Sequence, residues 1–119
     1  MFVAKYPDWV SAIVFKDGGT VFFDGAKDLF KYYFDLNRYN PGQDITNIAS
    51  VYVTEYYNMT LIDARKSHYV IGSDVYGPMG RELVPFKNRP EAAEFLKDHR
   101  GQKVVRFKDI APALIESLD

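Results

Sequence analysis

Cysteine is absent from this chain of 119 residues. No thiolate can therefore hold a metal, no disulfide can form, and zinc or iron–sulfur centres built on cysteine are excluded. A surplus of positive charge is also missing. The 15 lysines and arginines stand against 16 aspartates and glutamates, for a net charge of -1, without the basic excess that a phosphate-backbone binder needs. Nucleic acid is not expected as a partner. No apolar run approaches the roughly 18 residues of a membrane span, and the first residues lack the charged-then-apolar order of a signal peptide. Catalytic constellations are lacking too: there is no glycine-rich phosphate loop of the required spacing, no H-E-x-x-H pair and no G-x-S-x-G elbow. Gly72-Ser73-Asp74 is too short to count, and no enzymatic activity is expected.

What the chain does have is apolar and aromatic substance. It is 47% apolar, with nine tyrosines and nine phenylalanines, enough for one compact unit whose sheet-rich core is filled by rings. Trp9 to Phe15 and Thr20 to Phe23 read as two strands joined at Lys16-Asp17-Gly18-Gly19, where glycines supply positive φ. A helix should follow with Asp24 as N-cap, because Ala26, Leu29, Phe30 and Tyr33 recur at helical spacing, through to about Leu36. Asn40-Pro41-Gly42 stops it, and Ile48 to Tyr56 returns as a strand. The unit is ββαβ.

The second half repeats that order. After an extra strand at Met59 to Asp63 come His68 to Ile71, a Gly/Pro loop, and Glu82 to Phe86. Asn88-Arg89-Pro90-Glu91 opens a second helix in the manner of a capping box, with Ala92, Phe95 and Leu96 on its apolar face and Gly101 at C′. Gln102 to Phe107 is the closing strand, and Ile110 to Leu118 a last helix with Pro112 in its first turn. The expected class is α+β: one domain over 1–119 made of two pseudo-repeated ββαβ units, about 1–57 and 58–119, with a C-terminal helix. The hairpin loop is a plain turn in the first unit, whereas the second carries Gly77-Pro78-Met79-Gly80.

That tetrapeptide puts a thioether on turn-forming backbone, although methionine ordinarily fills gaps in cores. Gly72 to Glu82 reads G-S-D-V-Y-G-P-M-G-R-E and is followed by a short strand and a helix. The segment closely resembles the NosL family, copper-binding accessory proteins of nitrous oxide reductase. The likeness is specific over 69–107 and weaker over 9–60. It implies two small ββαβ units, a bound copper ion, delivery to nitrous oxide reductase or a similar cuproenzyme, and an extracytoplasmic, lipid-anchored location. Members of the family usually open with C-x-x-C-G-M-F shortly after a lipoprotein signal, and Met1-Phe2 resembles the last two residues of that motif. Two alternatives stay open: a segment carrying the cysteines precedes Met1 in the natural protein, or this member begins here.

Without thiols, a copper site must use thioether and imidazole. Met79 is the first candidate, since a thioether selects Cu(I) over harder cations and binds without losing a proton; the plain alternative is a local apolar plug. Met1 is the second, because it holds the place of the family's motif methionine, which the resemblance implies is a copper ligand; otherwise it is a frayed terminus. His68, at the start of the strand leading to the loop, is the third, against the plain alternative of a half-exposed histidine at a strand end. Met59 reads as core. His99 reads as a helix C-terminal partner outside the site. Asp74 with Arg81-Glu82 can form a supporting charge pair around the loop, and Tyr76 can cover it. The expected function is a Cu(I) metallochaperone. The rival is an interaction module that kept the fold and lost the metal.

Overall fold

The computed structural model describes residues 7–77 and 80–119. The first strands, β1 (Ser11–Phe15) and β2 (Thr20–Phe23), form the expected hairpin. Its turn closes by hydrogen bonds from Phe15 N to Gly19 O (2.7 Å) and from Gly19 N to Asp17 Oδ1 (2.8 Å), with Gly18 at φ 94. Helix α1 (Ala26–Phe34) buries Ala26, Leu29 and Phe30 of the expected stripe and also Lys27, while Tyr33, the fourth member of the stripe, is half-buried. Asp24 is not its cap. Gly25 holds that position with no side-chain bond of its own. The chain breaks at Asp35 into a short α2 (Leu36–Tyr39) before β3 (Ile48–Thr54).

β4 (Leu61–Asp63) pairs with β3, so the first sheet extends past residue 57 in the order β2-β1-β3-β4. β5 (His68–Ile71) is followed by a small ribbon of β6 (Tyr76–Gly77) and β7 (Gly80–Arg81), then β8 (Val84–Phe86), α3 (Arg89–Asp98), β9 (Lys103–Arg106) and α4 (Pro112–Ser117). The second sheet runs β8-β5-β9. In both large sheets the first strand is central, flanked by its hairpin partner and by the strand that returns after a helix, and all pairings are antiparallel. With its helices interspersed among antiparallel strands, the class is α+β.

The helix ends of α3 show how local chemistry fixes the second unit. Asn88 Oδ1 accepts Glu91 N at 3.0 Å, and Asn88 Nδ2 donates to Glu91 Oε1 at 2.8 Å, satisfying an otherwise orphan helix donor. At the other end Gly101 N donates to Leu96 O (2.8 Å), yet the left-handed residue is Arg100 (φ 55) rather than Gly101. Gly101 is needed for closeness: a Cβ there would lie 2.7 Å from Val70 Cγ1.

One core joins the two halves. Ile13, Phe15, Leu29, Phe30, Val51 and Val53 pack with Tyr69, Ile71, Leu83, Val105, Ile110, Ile115 and Leu118. A smaller cluster of Val70, Val84, Phe86, Ala92 and Phe95 lies under α3. β5 thus faces the main core through Tyr69 and Ile71 and the α3 cluster through Val70, as strand alternation requires. Tyr69 is fully buried and its hydroxyl donates to Ala64 O at 2.6 Å.

Candidate functional site

The β6–β7 ribbon frames the Gly/Pro motif. Tyr76 pairs with Arg81 and Gly77 with Gly80, and Gly80 sits at φ 85, a left-handed geometry that suits glycine. Met79, like Met1, lies outside the described residues. Tyr76 is 64% exposed on the ribbon. Beside it runs a cleft of about 550 Å³ lined by Lys27, Tyr76, Gly80, Arg81, Leu118 and Asp119.

Beneath the ribbon the decisive residue is Glu82, which is 2% exposed. Its Oε1 accepts the backbone N–H of Lys27 at 2.7 Å and of Leu83 at 3.3 Å, so a residue of the second half caps the first turn of α1 in the first. Its Oε2 is buried and has no hydrogen-bond partner among the described residues. Two glycines make the space. A Cβ on Gly25 would lie 2.6 Å from Glu82 Oε2, and one on Gly77 would lie 2.6 Å from Glu82 Cγ. Burial pushes the Glu82 carboxyl up to about 7, against the opposing pull of the Lys27 and Leu83 amides and the Lys27 charge.

Lys27, itself buried, extends this polar seam. Its Nζ donates to Leu118 O (3.2 Å) and pairs with Asp119 (2.9 Å), which Lys31 also contacts at 2.9 Å. These hydrogen bonds hold the Asp119 carboxyl below the usual carboxylate range. A parallel arrangement exists at the other helix: the fully buried Glu55 accepts Lys87 N at 2.9 Å just before α3, and its Oε1 has no partner among the described residues. Each half thus sends a buried glutamate to the start of the other's helix. The sequence reading missed this role for both residues. The one available signal was for Glu55, a lone charge in the strand-like run Val51-Tyr52-Val53-Thr54-Glu55-Tyr56-Tyr57; Glu82, next to Arg81 at the edge of its apolar run, gave none.

Other expectations are redistributed. Asp74 does not pair with Arg81, which is exposed; it pairs with His99, Nδ1 to Oδ1 at 2.9 Å, while Asp74 N donates to His99 O at 2.9 Å. His99 also stacks on Phe95, with ring centres 4.3 Å apart, so it ties the segment ahead of the ribbon to the end of α3. His68 begins β5 opposite Phe86 and Arg106, whereas the chain leaves that strand at Ile71, about 10 Å further along. It shares a depression with Arg89 and Arg106, and burial followed by those two charges holds its imidazole below the ordinary value. Met59 is no core residue. It is 59% exposed in the Glu55–Thr60 turn at φ 57, because Met59 N bonds back to Glu55 O at 2.9 Å. Among the described residues no three His, Asp or Glu side chains converge as a metal site, and no helix is long and apolar enough to cross a membrane.

An α+β pair of sheets, with a glycine-framed ribbon seated on a buried glutamate, defines a small two-sheet domain. The chain belongs to the NosL family, whose model matches residues 1–115. The "Copper-binding lipoprotein NosL" of Stutzerimonas stutzeri is 38% identical over 56 residues, which are 47% of this chain and 29% of that protein. Among solved structures, the crystal structure of the copper chaperone NosL from Shewanella denitrificans superposes with a TM-score of 0.73 at 24% identity, over 87% of this chain and 79% of that one. The solution structure of apo-NosL from Achromobacter cycloclastes gives 0.59 at 29% identity, over 88% and 87%.

Proposed function

We propose that this chain is a copper(I)-binding accessory protein, a metallochaperone that carries one cuprous ion on Met79 and Met1 and passes it by ligand exchange to a cuproenzyme outside the cytoplasm, such as nitrous oxide reductase. A lipid anchor upstream of Met1 would hold it at the membrane surface. Family membership supports this reading, as do the descriptions of the Stutzerimonas protein as copper-binding and the Shewanella protein as a copper chaperone. The observation that carries it is the ribbon: its two glycines bracket Met79 in sequence, and it runs directly into a buried glutamate whose carboxyl caps α1.

The chemistry follows from the donor. A thioether is soft, prefers Cu(I) to harder cations and has no proton to lose. A set of few such ligands leaves coordination positions for the acceptor, which suits transfer better than a closed core site. His68 does not enter this proposal, because a cation there would join the charges of Arg89 and Arg106. The deciding experiment is competition for Cu(I) against a chelator. The chain should bind, and Met79→Ala should weaken binding roughly tenfold or more, as expected when one of a few soft ligands is removed. Equal affinity in the variant would remove Met79 from the site. No binding by the wild type would leave an interaction module with a NosL fold.

A further inference from the structure

Glu82 invites a question that cargo binding alone does not answer. A buried carboxyl with one oxygen fully engaged and the other without a partner among the described residues is a costly arrangement, and a glycine from each half is given up to accommodate it. Capping α1 would need only one oxygen and would not require that the second be sealed against Gly25 and Gly77.

We propose that Glu82 is a proton-responsive pin between the β6–β7 ribbon and the first turn of α1, closed when the carboxyl is protonated and loosened when it ionises, so that proton uptake regulates the ribbon that presents the cargo ion. An ionised carboxylate with such an oxygen in this space is relieved by water or by a nearby cation, and the two residues packed closest over it without side chains are Gly25 and Gly77. The groups that face it are Lys27 and Asp28 on α1, with Asp119 behind Lys27. Arg81 is adjacent in sequence but exposed, and β8 brings no charge. Burial places the Glu82 transition near neutrality, at about 7. The link to copper rests on the function proposed above. Because thioethers have no proton to lose, a cation held near the ribbon and a proton on Glu82 should compete, making binding tighter above neutrality and release easier below it.

Two measurements on the full chain test this separately. In metal-free protein, a nuclear magnetic resonance titration from pH 5.5 to 8.5 should show the Glu82 carboxyl and the amides of Gly25, Lys27 and Gly77 moving with one shared midpoint near neutrality. Glu82→Gln, which keeps the Oε1 acceptor, should abolish that step at all three amides. A Glu82 carboxyl that titrates near 4.5, or ribbon amides that ignore its titration, overturns the pin; this is read in wild type alone, so it holds even if the variant fails to fold. In Cu(I) competition at pH 6 and pH 8, wild type should bind about fivefold tighter at the higher pH and Glu82→Gln should be flat. Binding that is equally tight at both pH values in wild type overturns the regulatory link, whereas no binding at all overturns the copper reading and leaves the metal-free titration to judge the pin.

Discussion

Glu82 and Lys27 show how much one buried polar contact can organise. Glu82 keeps its proton to about pH 7 in the folded chain, whereas an unfolded carboxyl releases it near 4.5, so between those values the folded state binds more protons. Stability must therefore fall as pH rises from about 4.5 to about 7, by an upper bound of roughly 3 kcal/mol. Glu82→Gln should lack this decline and gain on wild type as pH rises; urea midpoints at pH 5 and pH 8 read it, and an unchanged difference contradicts it. Little of this was visible in the sequence. Glu82 stood inside the motif that drew attention to the loop, but a carboxylate between Gly80-Arg81 and an apolar strand reads as surface charge until the fold brings α1 over it. Met59 misled for the opposite reason. Its alternation with Leu61 suggested a strand, whereas the Glu55–Thr60 turn places it in the left-handed region, 59% exposed.

At the scale of elements, periodicity did better than cap assignment. The stripe of Ala26, Leu29 and Phe30 is buried as spaced, because helical period reports which face meets the core. Caps depend on atoms contributed from far away in sequence, and α1 takes its amide partner from a residue 55 positions on. At α3, Asn88 caps as its local motif indicates, but the C-terminal roles are exchanged: Arg100 bears the positive φ, and Gly101 bears the close approach to Val70. Arg100→Gly should therefore stabilise the chain by about 0.5 to 1 kcal/mol, and Gly101→Ala should destabilise it by about 1 to 3 kcal/mol. Thermal unfolding of both variants checks the pair, and the reverse ordering contradicts the assignment.

Across the whole molecule, the two sheets share one core rather than sitting side by side as separate units. Tyr69 is the central piece, packed edge-on against Phe30 at 5.8 Å and bonded to Ala64 O, with burial raising its hydroxyl far above the ordinary phenol range. Tyr69→Phe should cost about 1 kcal/mol with unchanged cooperativity in denaturant; a second transition would show that the halves unfold independently. The repeated ββαβ order was legible in the sequence because turns and strands leave local marks. The reciprocal glutamates that stitch the halves together were not, since nothing local marks a contact between Glu82 and Lys27 or between Glu55 and Lys87.

The proposed function requires methionine sulfur beside the glycine-framed ribbon to hold a soft monovalent ion. Competition for Cu(I) against a chelator, run side by side on wild type and Met79→Ala, tests it most directly. Wild type should bind tightly and the variant roughly tenfold or more weakly; identical curves for the two proteins would rule Met79 out as a ligand.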